Sequence, residues 1–562
     1  MGSDAHGTIV LRDEGQSQLE GCEHGGAGGR RRLVHGDGTE LFIALVAAVG
    51  TDVGVVVDQL VTELDQYGFS SNVLRLSDYL AEEAGQDFRG MPFDEGLWEA
   101  MSAGDRLRQE WDRGDALALH AVSDIVATRE ELAAGAVSES GLPPYLRRRA
   151  FILRSLKTPD ELQALRAIYG PRLVVVAAYS PRDLRLKHLA EQIEDSRGSS
   201  NRATWAHQPE ALIERDENEE QSGGQDVSGT FHRADFFIRG WGRDVINTDV
   251  VRMLEILFGS PFRTPTRDEH SMFLAAGAGL RSAELGRQVG AAIAARDGSV
   301  LALGSNEVPK AGGGSHWEED GVGNRDFEIG DTDTNRHHLD ELAESLAVRV
   351  DDHIRGLAAD LGSSAATERL QEQLRNSLAR ELRAGGLKDL TEFGRAVHAE
   401  MNALLDAARR GVPVADSVLY CTTFPCHNCG RHIIGAGVLR VVFIEPYGKS
   451  RTEELHGESV RISQSPTPDG EPLRVRFEPF VGVAPRRYLE LFDFAARERL
   501  GHLGRKDPDG RKREFAKTEA RPVSVDAGLP EFTPAMREYR AKELIALAYF
   551  ESHVDQADTS GP

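Results

Sequence analysis

Short apolar runs alternate with amphipathic segments through the first half of the chain. The stretch LFIALVAAVGTDVGVVVDQLVTELDQYGFSSNVLRL, which begins at Leu41, predicts a strand, a glycine turn, a helix with one apolar face and a second strand. Two more apolar runs, RLVVVAAYS from Arg172 and ADFFIRG from Ala234, predict further buried strands. Strands that alternate with helices favour a parallel sheet covered by helices on both faces.

The hydrophobic pattern changes after GSPFRTPT, which begins at Gly259. From about Ser271 it predicts a helix and then two strands joined by a turn at Asp297 and Gly298. An acidic stretch and helical segments follow. After them come a helix that begins near His398, the strand SVLYCTT, a short helix and the strand VLRVVFIE. The order predicts a second α/β unit with a helical insertion.

These patterns predict four segments. Residues 1–38 are polar and rich in glycine, which indicates a disordered tail. Residues 39–268 form the first α/β domain, and residues 269–465 form the second, with its helical insertion at about 316–390. Residues 466–562 form a C-terminal extension that we expect to pack on the second domain.

The amino-acid composition disfavours several classes of protein. The 562 residues include 66 basic and 90 acidic side chains, a formal net charge of −24, which disfavours a protein that mainly grips nucleic-acid phosphates. Only four cysteines are present, so a disulfide scaffold is not expected. The N-terminal residues lack the apolar stretch of a signal peptide, and no apolar run is long enough to span a bilayer. We expect a cytoplasmic protein without a membrane segment.

Two short motifs carry candidate chemistry. GRAVHAEMNALLDAARRG contains His398 and, two residues later, Glu400; TTFPCHNCGRHIIGAG contains Pro425, Cys426 and Cys429. Pro425 suits the first turn of a helix, and the three-residue step places both thiols on one helix face. One histidine and two thiolates leave the fourth position of a tetrahedral zinc site for water. A glutamate beside such a water can act as a general acid and base, as in zinc nucleobase deaminases.

Other interpretations of these residues stay open at this point. A structural zinc site completed by Cys421 would need no catalytic glutamate, although this cysteine lies in an apolar strand and resembles a buried small hydrophobic residue. A second metal site or a solvated acidic loop would account for four side chains in the insertion: Asp331, Asp333, His337 and His338.

Three stretches resemble the deoxycytidylate deaminase branch of the cytidine deaminase superfamily. They are HAEMNALLDAA from His398, TTFPCHNCGRHIIGAGVLRVVFIEPYGKS from Thr422 and GSNEVPKAGGG from Gly304, within roughly residues 271–465. The resemblance implies an α/β/α core with a mixed five-stranded sheet and a Zn²⁺ ion at two helix N-termini. It also implies that His398, Cys426 and Cys429 bind zinc and that Glu400 moves protons.

The same resemblance suggests contacts to a substrate. It makes Asn306 a contact to the nucleotide, and Tyr447 falls where that branch has an aromatic residue near the base. Lys310, Lys449 and Arg451 are candidates for binding phosphate on charge and position alone, with an ordinary surface role as the alternative.

The loop GTDVG, which begins at Gly50, follows a strand and opens a helix, as a phosphate-binding loop does. A working P-loop has the pattern G-x-x-x-x-G-K-[ST], but here Val55 and Val56 follow Gly54, so the lysine and the hydroxyl are absent. Backbone N–H groups of Gly50 and Gly54 could still bind an anion at the helix N-terminus. The sequence therefore predicts a P-loop-kinase-like sheet domain that either binds a nucleotide without hydrolysing it or has a structural or regulatory role.

A lysine-poor loop of this kind, fused to a deaminase core, resembles bacterial anti-phage dCTP deaminases. IALVAAVGTD, ADFFI and FEPFVGVAPRRY carry that likeness over most of the chain beyond the tail. It implies that free deoxycytidine nucleotides (dCTP, dCMP or both) are deaminated to deoxyuridine nucleotides, which would deprive a phage of a DNA precursor. It further implies a homo-oligomer, a second nucleotide at the first domain, and control by an RNA or protein inhibitor.

Two other functions compete with that interpretation. A deaminase that acts on a base within RNA or DNA would need a basic groove and stacking aromatic residues, which the acidic balance disfavours. A nucleotide-sensing regulator that uses the deaminase fold as a scaffold would have no need for both the ligand set and Glu400.

Overall fold

The computed structural model shows two sheets joined by helices and by the C-terminal part of the chain. From Gly38 onward the chain forms one compact unit. The structure describes residues 40–132, 146–198, 205–217, 225–321, 323–329, 333–359, 375, 377–382, 393–447, 450–462, 472–499, 502, 504–523 and 542–551.

Strands among the described residues are assigned to two sheets of six. Their bounds are β1 Glu40–Ala47, β2 Ser70–Arg75, β3 Arg149–Leu156, β4 Leu173–Tyr179, β5 Phe236–Arg239, β6 Gly290–Ala294, β7 Val300–Ser305, β8 Val418–Thr423, β9 Arg440–Glu445, β10 Val460–Ile462, β11 Val475–Pro479 and β12 Gly482–Val483.

The α-helices cover both faces of the two sheets. Among the described residues, no helix is long and apolar enough to cross a membrane. Their bounds are α1 Val53–Gln66, α2 Leu76–Glu83, α3 Phe93–Glu110, α4 Ala116–Leu132, α5 Pro159–Tyr169, α6 Arg182–Arg197, α7 Gln208–Glu217, α8 Val227–Phe231, α9 Arg243–Leu257, α10 Arg267–Gly279, α11 Thr334–Ala359, α12 Ala399–Arg410, α13 His427–Gly435, α14 Thr452–His456, α15 Tyr488–Phe492 and α16 Phe494–Arg499, and residues 542–551 are also helical.

The first sheet has the strand order β12-β5-β4-β1-β3-β2. All pairs are parallel except β12 with β5. Every residue of the central strand β1 is buried, because helices cover both of its faces. Leu60 and Leu64 of α1 pack on one face, and Leu162 and Leu165 of α5 pack on the other. The parallel sheet that the apolar runs predicted is therefore present.

The second sheet has the order β10-β11-β9-β8-β6-β7. Strand β6 pairs antiparallel with β7 and β8, whereas β8, β9, β11 and β10 run parallel. Helices α12 and α13 cover one face and α10 covers the other, which gives the α/β/α core that we expected. The expected five-stranded sheet is a correction: β10 adds a sixth strand at the edge, because its backbone pairs with β11.

The C-terminal segment contributes to both sheets and not to the second alone. Strand β11 belongs to the second sheet, and β12, two residues further along the chain, pairs with β5 of the first. The backbone N–H of Ala484 donates to the carbonyl oxygen of Asp235 at 2.9 Å, which extends this contact. The expected extension at 466–562 therefore also completes the edge of the first domain.

A buried arginine ties the C-terminal helix to the first strand. Arg129 is fully buried and its guanidinium donates to two carboxylates. Its Nε and Nη2 atoms each lie 3.0 Å from a Glu40 oxygen, and its Nη1 and Nη2 atoms lie 2.8 and 3.0 Å from those of Glu543. Removal of one member leaves the other charges buried without compensation, which is strongly destabilising.

We therefore expect Arg129→Met to lower the free energy of unfolding by about 3–5 kcal/mol. The matched control is Arg296→Met, because the ion pair of Arg296 with Asp416 is 3.8 Å long and both side chains are at least 70% exposed; a pair of this kind is worth about 0–1 kcal/mol. Chemical denaturation of the full chain, followed by circular dichroism, measures both. Equal midpoints for the two variants would contradict the assigned role of Arg129.

Candidate active site

The predicted zinc ligands lie at the starts of two neighbouring helices. His398 is the N-cap of α12, Cys426 is the N-cap of α13, and Cys429 lies in the first turn of α13. Both helices pack on the same face of the second sheet, so their N-termini converge. Pro425 is a small correction: because α13 begins at His427, this proline precedes the helix and is not part of its first turn.

The ligand atoms are spaced as zinc requires. His398 Nδ1 lies 3.3 Å from Cys426 Sγ and 3.4 Å from Cys429 Sγ. A tetrahedral ion with Zn–S of about 2.3 Å and Zn–N of about 2.0–2.1 Å separates nitrogen and sulfur ligands by about 3.6 Å. The three side chains therefore fit the ion that the sequence indicated, with Nδ1 as the nitrogen ligand.

The thiols differ in their surroundings. A hydrogen bond from the Cys429 thiol, assisted by His398, lowers the pKa of Cys426 to about 4, so this position favours the thiolate that a metal needs. Cys421 is also buried in strand β8, and burial raises the pKa of its thiol well above the usual range. The group that can hold a metal consists of His398, Cys426 and Cys429, without Cys421.

Glu400 lies in the first turn of α12 and is only 4% exposed. Burial raises the pKa of its carboxyl group, and the neighbouring His398 acts in the opposite direction. A buried carboxyl group with a raised pKa is suited to general acid and base chemistry. The structure thus places the predicted proton carrier beside the ligand set.

Backbone contacts hold the start of α12 in place. Gly304 of β7 lies against the first turn of α12, and a Cβ atom there would come within 2.2 Å of the carbonyl oxygen of Ala399. Glu307 and Val397 exchange two backbone hydrogen bonds of 3.3 and 3.1 Å, which fix the residue before His398. Only glycine permits this approach of strand to helix.

Three polar side chains that the sequence did not single out fix the surrounding loops. Asn402 donates from Nδ2 to the carbonyl oxygen of Ser305 at 2.7 Å, which ties α12 to the end of β7. The hydroxyls of Ser450 and Thr452 donate to the carbonyl oxygen of Pro425 at 2.8 and 3.3 Å. Asn402 lies within the first of the two motifs, whereas Ser450 and Thr452 lie outside both and carry no sequence signal of their own.

The two substrate contacts predicted in the loop after β7 form hydrogen bonds or an ion pair with other groups of the protein. Asn306 accepts from the Val289 N–H at 2.8 Å and donates to the Arg287 carbonyl oxygen at 2.6 Å. Lys310, 43% exposed, forms an ion pair with Asp320. A role in substrate binding stays a prediction for both residues.

Three further candidates for contacts to the substrate follow β9 in the sequence. Tyr447 is half-buried and packs against the core beside α13. Arg451 is exposed, and its Nε lies 4.0 Å from an oxygen of Glu454. Lys449 lies outside the described residues.

The acidic insertion brings together a different group from the one considered in the sequence. His337 and His338 are exposed, and each lies within 3.3 Å of Glu341. Asp331 lies outside the described residues. A carboxylate cluster forms instead from Glu284, Asp326 and Asp333.

The loop between β1 and α1 is closed by the protein's own side chains. Gly50 has a φ of +85°, and a Cβ atom there would lie 2.8 Å from Arg185 Cβ. Asp52 Oδ1 accepts from the Val55 N–H at 3.2 Å, at the helix end that includes Gly54. Nucleotide binding by Gly50 and Gly54 stays a prediction. Carboxylate groups of the protein already accept hydrogen bonds from the backbone of this loop.

One of these carboxylates comes from a distant part of the chain. Asp216 is 2% exposed, and its Oδ2 accepts from the Val49 N–H at 2.7 Å. Its Oδ1 accepts from Lys157 Nζ at 2.9 Å. At least one backbone N–H group of the loop is therefore already hydrogen-bonded to a carboxylate of the protein.

A comparison with known protein families matches residues 265–445 to the cytidine and deoxycytidylate deaminase zinc-binding region. ComE operon protein 2 of Bacillus subtilis (strain 168) is 43% identical over 53 residues, which are 9% of this chain and 28% of that protein. The deoxycytidylate deaminase of Enterobacteria phage T2 is 38% identical over 55 residues, 10% of this chain and 29% of that protein. The chain thus spans less than a third of each relative's length.

Among solved structures, a dCMP deaminase from the cyanophage S-TIM5 in complex with dCMP and dUMP is 20% identical and has a TM-score of 0.22. The match covers 39% of this chain and 99% of that one. The family match and the ligand geometry agree on the same residues of the second sheet. Residues 265–445 are therefore similar to a deaminase domain of the cytidine and deoxycytidylate type, and the match supports zinc as the cofactor.

Proposed function

We propose that the protein is a zinc-dependent hydrolase that deaminates free deoxycytidine nucleotides. The observation that carries the proposal is the approach of His398 Nδ1 to both thiols within 3.4 Å, with the buried Glu400 carboxyl group beside them. A structural zinc site would have no need for a buried acid at this position. The residue set matches what water activation and proton transfer require.

We assign the ligand role to His398, Cys426 and Cys429. Zinc bound by three protein ligands acts as a Lewis acid and lowers the pKa of a bound water to about 7. The two helix N-termini stabilise the thiolates through their positive dipole ends.

Glu400 performs the proton transfers of the reaction. Its carboxylate takes a proton from the attacking water, and the hydroxide oxygen forms a bond to C4 of cytosine. The carboxyl group then delivers that proton to N3 of the base. The carboxylate next moves the proton of the new C4 hydroxyl group to the exocyclic nitrogen, the C4–N bond breaks, and ammonia leaves as the uracil carbonyl forms. Burial of Glu400 favours this cycle because it keeps the pKa of the carboxyl group raised.

Free nucleotides fit the protein better than a base held within nucleic acid. The formal net charge of −24 opposes binding to a long phosphate backbone. The family description and the phage T2 relative both name deoxycytidylate deamination. Asn306, Lys310, Tyr447 and Lys449 are our candidates for contacts to the nucleotide.

We further propose that dCTP is a substrate and that its removal protects a bacterium against phage. The support is the sequence likeness to anti-phage dCTP deaminases in both halves of the chain. The attachment of an entire second sheet domain also exceeds what a deaminase core needs for turnover. The cellular role follows from the reaction, because a phage cannot copy its DNA without a cytosine precursor.

We expect one zinc ion per chain, and its loss in Cys426→Ala and in Cys429→Ala, because each thiolate is one of three protein ligands. The matched control is Cys421→Ala, which removes a buried thiol outside the ligand group and should leave the metal content unchanged. Elemental analysis of the purified proteins measures all three. Full metal content in Cys426→Ala would refute the ligand assignment.

We expect Glu400→Gln to retain zinc and to lose about 10²–10⁴-fold in kcat, the usual contribution of a positioned acid or base. Product formation is measured by the loss of cytosine absorbance, and zinc content reports the integrity of the site. In cells, the same variant should neither lower the dCTP pool during infection nor protect against phage. Near-normal turnover by Glu400→Gln would exclude it as the proton carrier.

A substrate panel separates the proposed function from its rival. We expect dCTP and dCMP to be deaminated with higher kcat/KM than deoxycytidine, because a site that binds phosphate strongly rejects a substrate without it. A single-stranded oligodeoxynucleotide that contains cytosine serves as the comparison. Faster deamination of the oligonucleotide than of both nucleotides would favour an enzyme that acts on nucleic acid.

A further inference from the structure

Two arginines stand side by side at one edge of the first sheet. Arg75 is the last residue of β2, and its Cα is the direct partner of the Cα of Arg154 on the parallel strand β3. Neighbouring strands lie about 4.8 Å apart, so the two side chains leave the sheet at nearly the same place. Arg154 shares its sheet face with Ile152, two residues earlier, which packs in the core beneath α1. The register places Arg75 on that same face.

Like charges at directly opposed positions of a sheet destabilise it unless something neutralises them. Within the part of the chain that the structure describes, neither guanidinium has a hydrogen bond or an ion pair. Arg154 is half-buried, and burial together with the nearby charges of Arg75 and Arg89 lowers its pKa, although Asp78 and Asp52 act in the opposite direction. The positive charge of the pair is therefore only partly offset, inside a chain with a net charge of −24.

The nearby carboxylates are already engaged elsewhere. Asp78 forms an ion pair with Arg89. Asp52 accepts a hydrogen bond from the Val55 N–H, as the cap of α1. Each of these acids therefore has another hydrogen-bond partner, and neither forms an ion pair with Arg75 or Arg154 among the described residues, so they offset the charge of the pair only from a distance.

The position of the pair is one where open parallel sheets bind ligands. Ligands of such sheets bind beyond the carboxyl ends of the strands, where successive connections leave to opposite faces. Here α1, which follows β1, covers one face, and α5, which follows β3, covers the other. Strands β1 and β3 are neighbours, so this switch point lies directly beside Arg154. The positive end of α1 faces the same edge.

The glycine loop itself is less open to an anion than the arginines are. Its Val49 N–H is engaged by Asp216, and Asp52 occupies the helix end. An anion at the loop would have to displace one of these carboxylates. At the arginine pair, an anion would not have to break a hydrogen bond or an ion pair of either guanidinium within the described residues.

We propose that Arg75 and Arg154 form a binding site for the phosphate group of a small phosphorylated molecule, separate from the deaminase centre. Two guanidinium groups at adjacent strand positions offer parallel N–H donors that match the oxygen atoms of one phosphate. The phosphate neutralises the repulsion within the pair, so binding stabilises the first domain.

The test measures binding by the full-length zinc protein with inorganic phosphate and ribose 5-phosphate as probes. Neither probe carries a base that the deaminase centre could recognise. Isothermal titration calorimetry at constant ionic strength, with chloride as the reference anion, should show saturable binding to the wild-type chain. Affinity should fall about tenfold or more in Arg154→Gln and in Arg75→Gln, because each removes a charged hydrogen-bond donor. Arg154→Lys should recover only part of it.

The control is Arg296→Gln, which removes an exposed arginine on the β6–β7 turn and should bind both probes as the wild type does. Zinc content and dCMP deamination should be unchanged in Arg154→Gln, which separates a lost phosphate site from misfolding. Equal affinity of the two probes would show that the phosphate alone is recognised, and tighter binding of the sugar phosphate would show that an ester is preferred. No saturable binding to the wild type, or equal binding by Arg154→Gln and Arg296→Gln, would overturn the proposal. Binding of single-stranded RNA without binding of either probe would overturn it as well.

Discussion

The approach of one histidine nitrogen to two thiols is the constraint on which the second sheet depends. His398 and Cys426 are each the cap of a helix, so their contact at 3.3 Å requires α12 and α13 to start at one point above the sheet. Small residues make this possible. Ala399, Ala403 and Ala407 of α12 are buried against the sheet, and Gly304 of β7 gives the helix room to approach.

Helix α10 joins this arrangement to the first sheet through two consecutive acids. Asp268 accepts from Arg440 of β9 at 2.9 and 2.7 Å, and so faces the second sheet. Glu269 accepts from the Val483 N–H of β12 at 2.9 Å and pairs with Arg252 of α9, and so faces the first. A cavity of about 370 Å³ lies between these ion pairs. Because adjacent residues of one helix engage both sheets, a shift of either sheet changes the contacts of α10.

The hydrophobic pattern and the spacing of the motifs were sufficient to predict most structural features that depend on short stretches of the chain. The period of apolar residues predicted β1, α1, β4, β5 and the β6–β7 hairpin, and the spacing of the motifs predicted which side chains would meet at the zinc centre. Such features depend on neighbours a few residues apart, and these are visible in the sequence.

Features that depend on distant pairing could not be predicted in this way. Strand β12 has only two residues, and nothing in Gly482 or Val483 indicates that they pair with β5. The contact of Asp216 with the Val49 N–H joins residues 167 positions apart. Asn306 matched a family motif, yet its amide bonds to backbone groups that only the folded hairpin brings within reach.

The net charge of the chain indicates little about where anions bind, because most arginines here are neutralised locally. Arg129 lies between two buried glutamates, and Arg440 binds Asp268 and Glu478. Since acids outnumber bases by 90 to 66, an arginine that lacks a carboxylate partner is more informative than the total. The adjacent residues Arg75 and Arg154 are distinguished by the lack of an ion pair, and not by the density of positive charge around them. In an acidic protein, two adjacent guanidinium groups without an ion pair of their own are therefore a better guide to a phosphate site than the net charge.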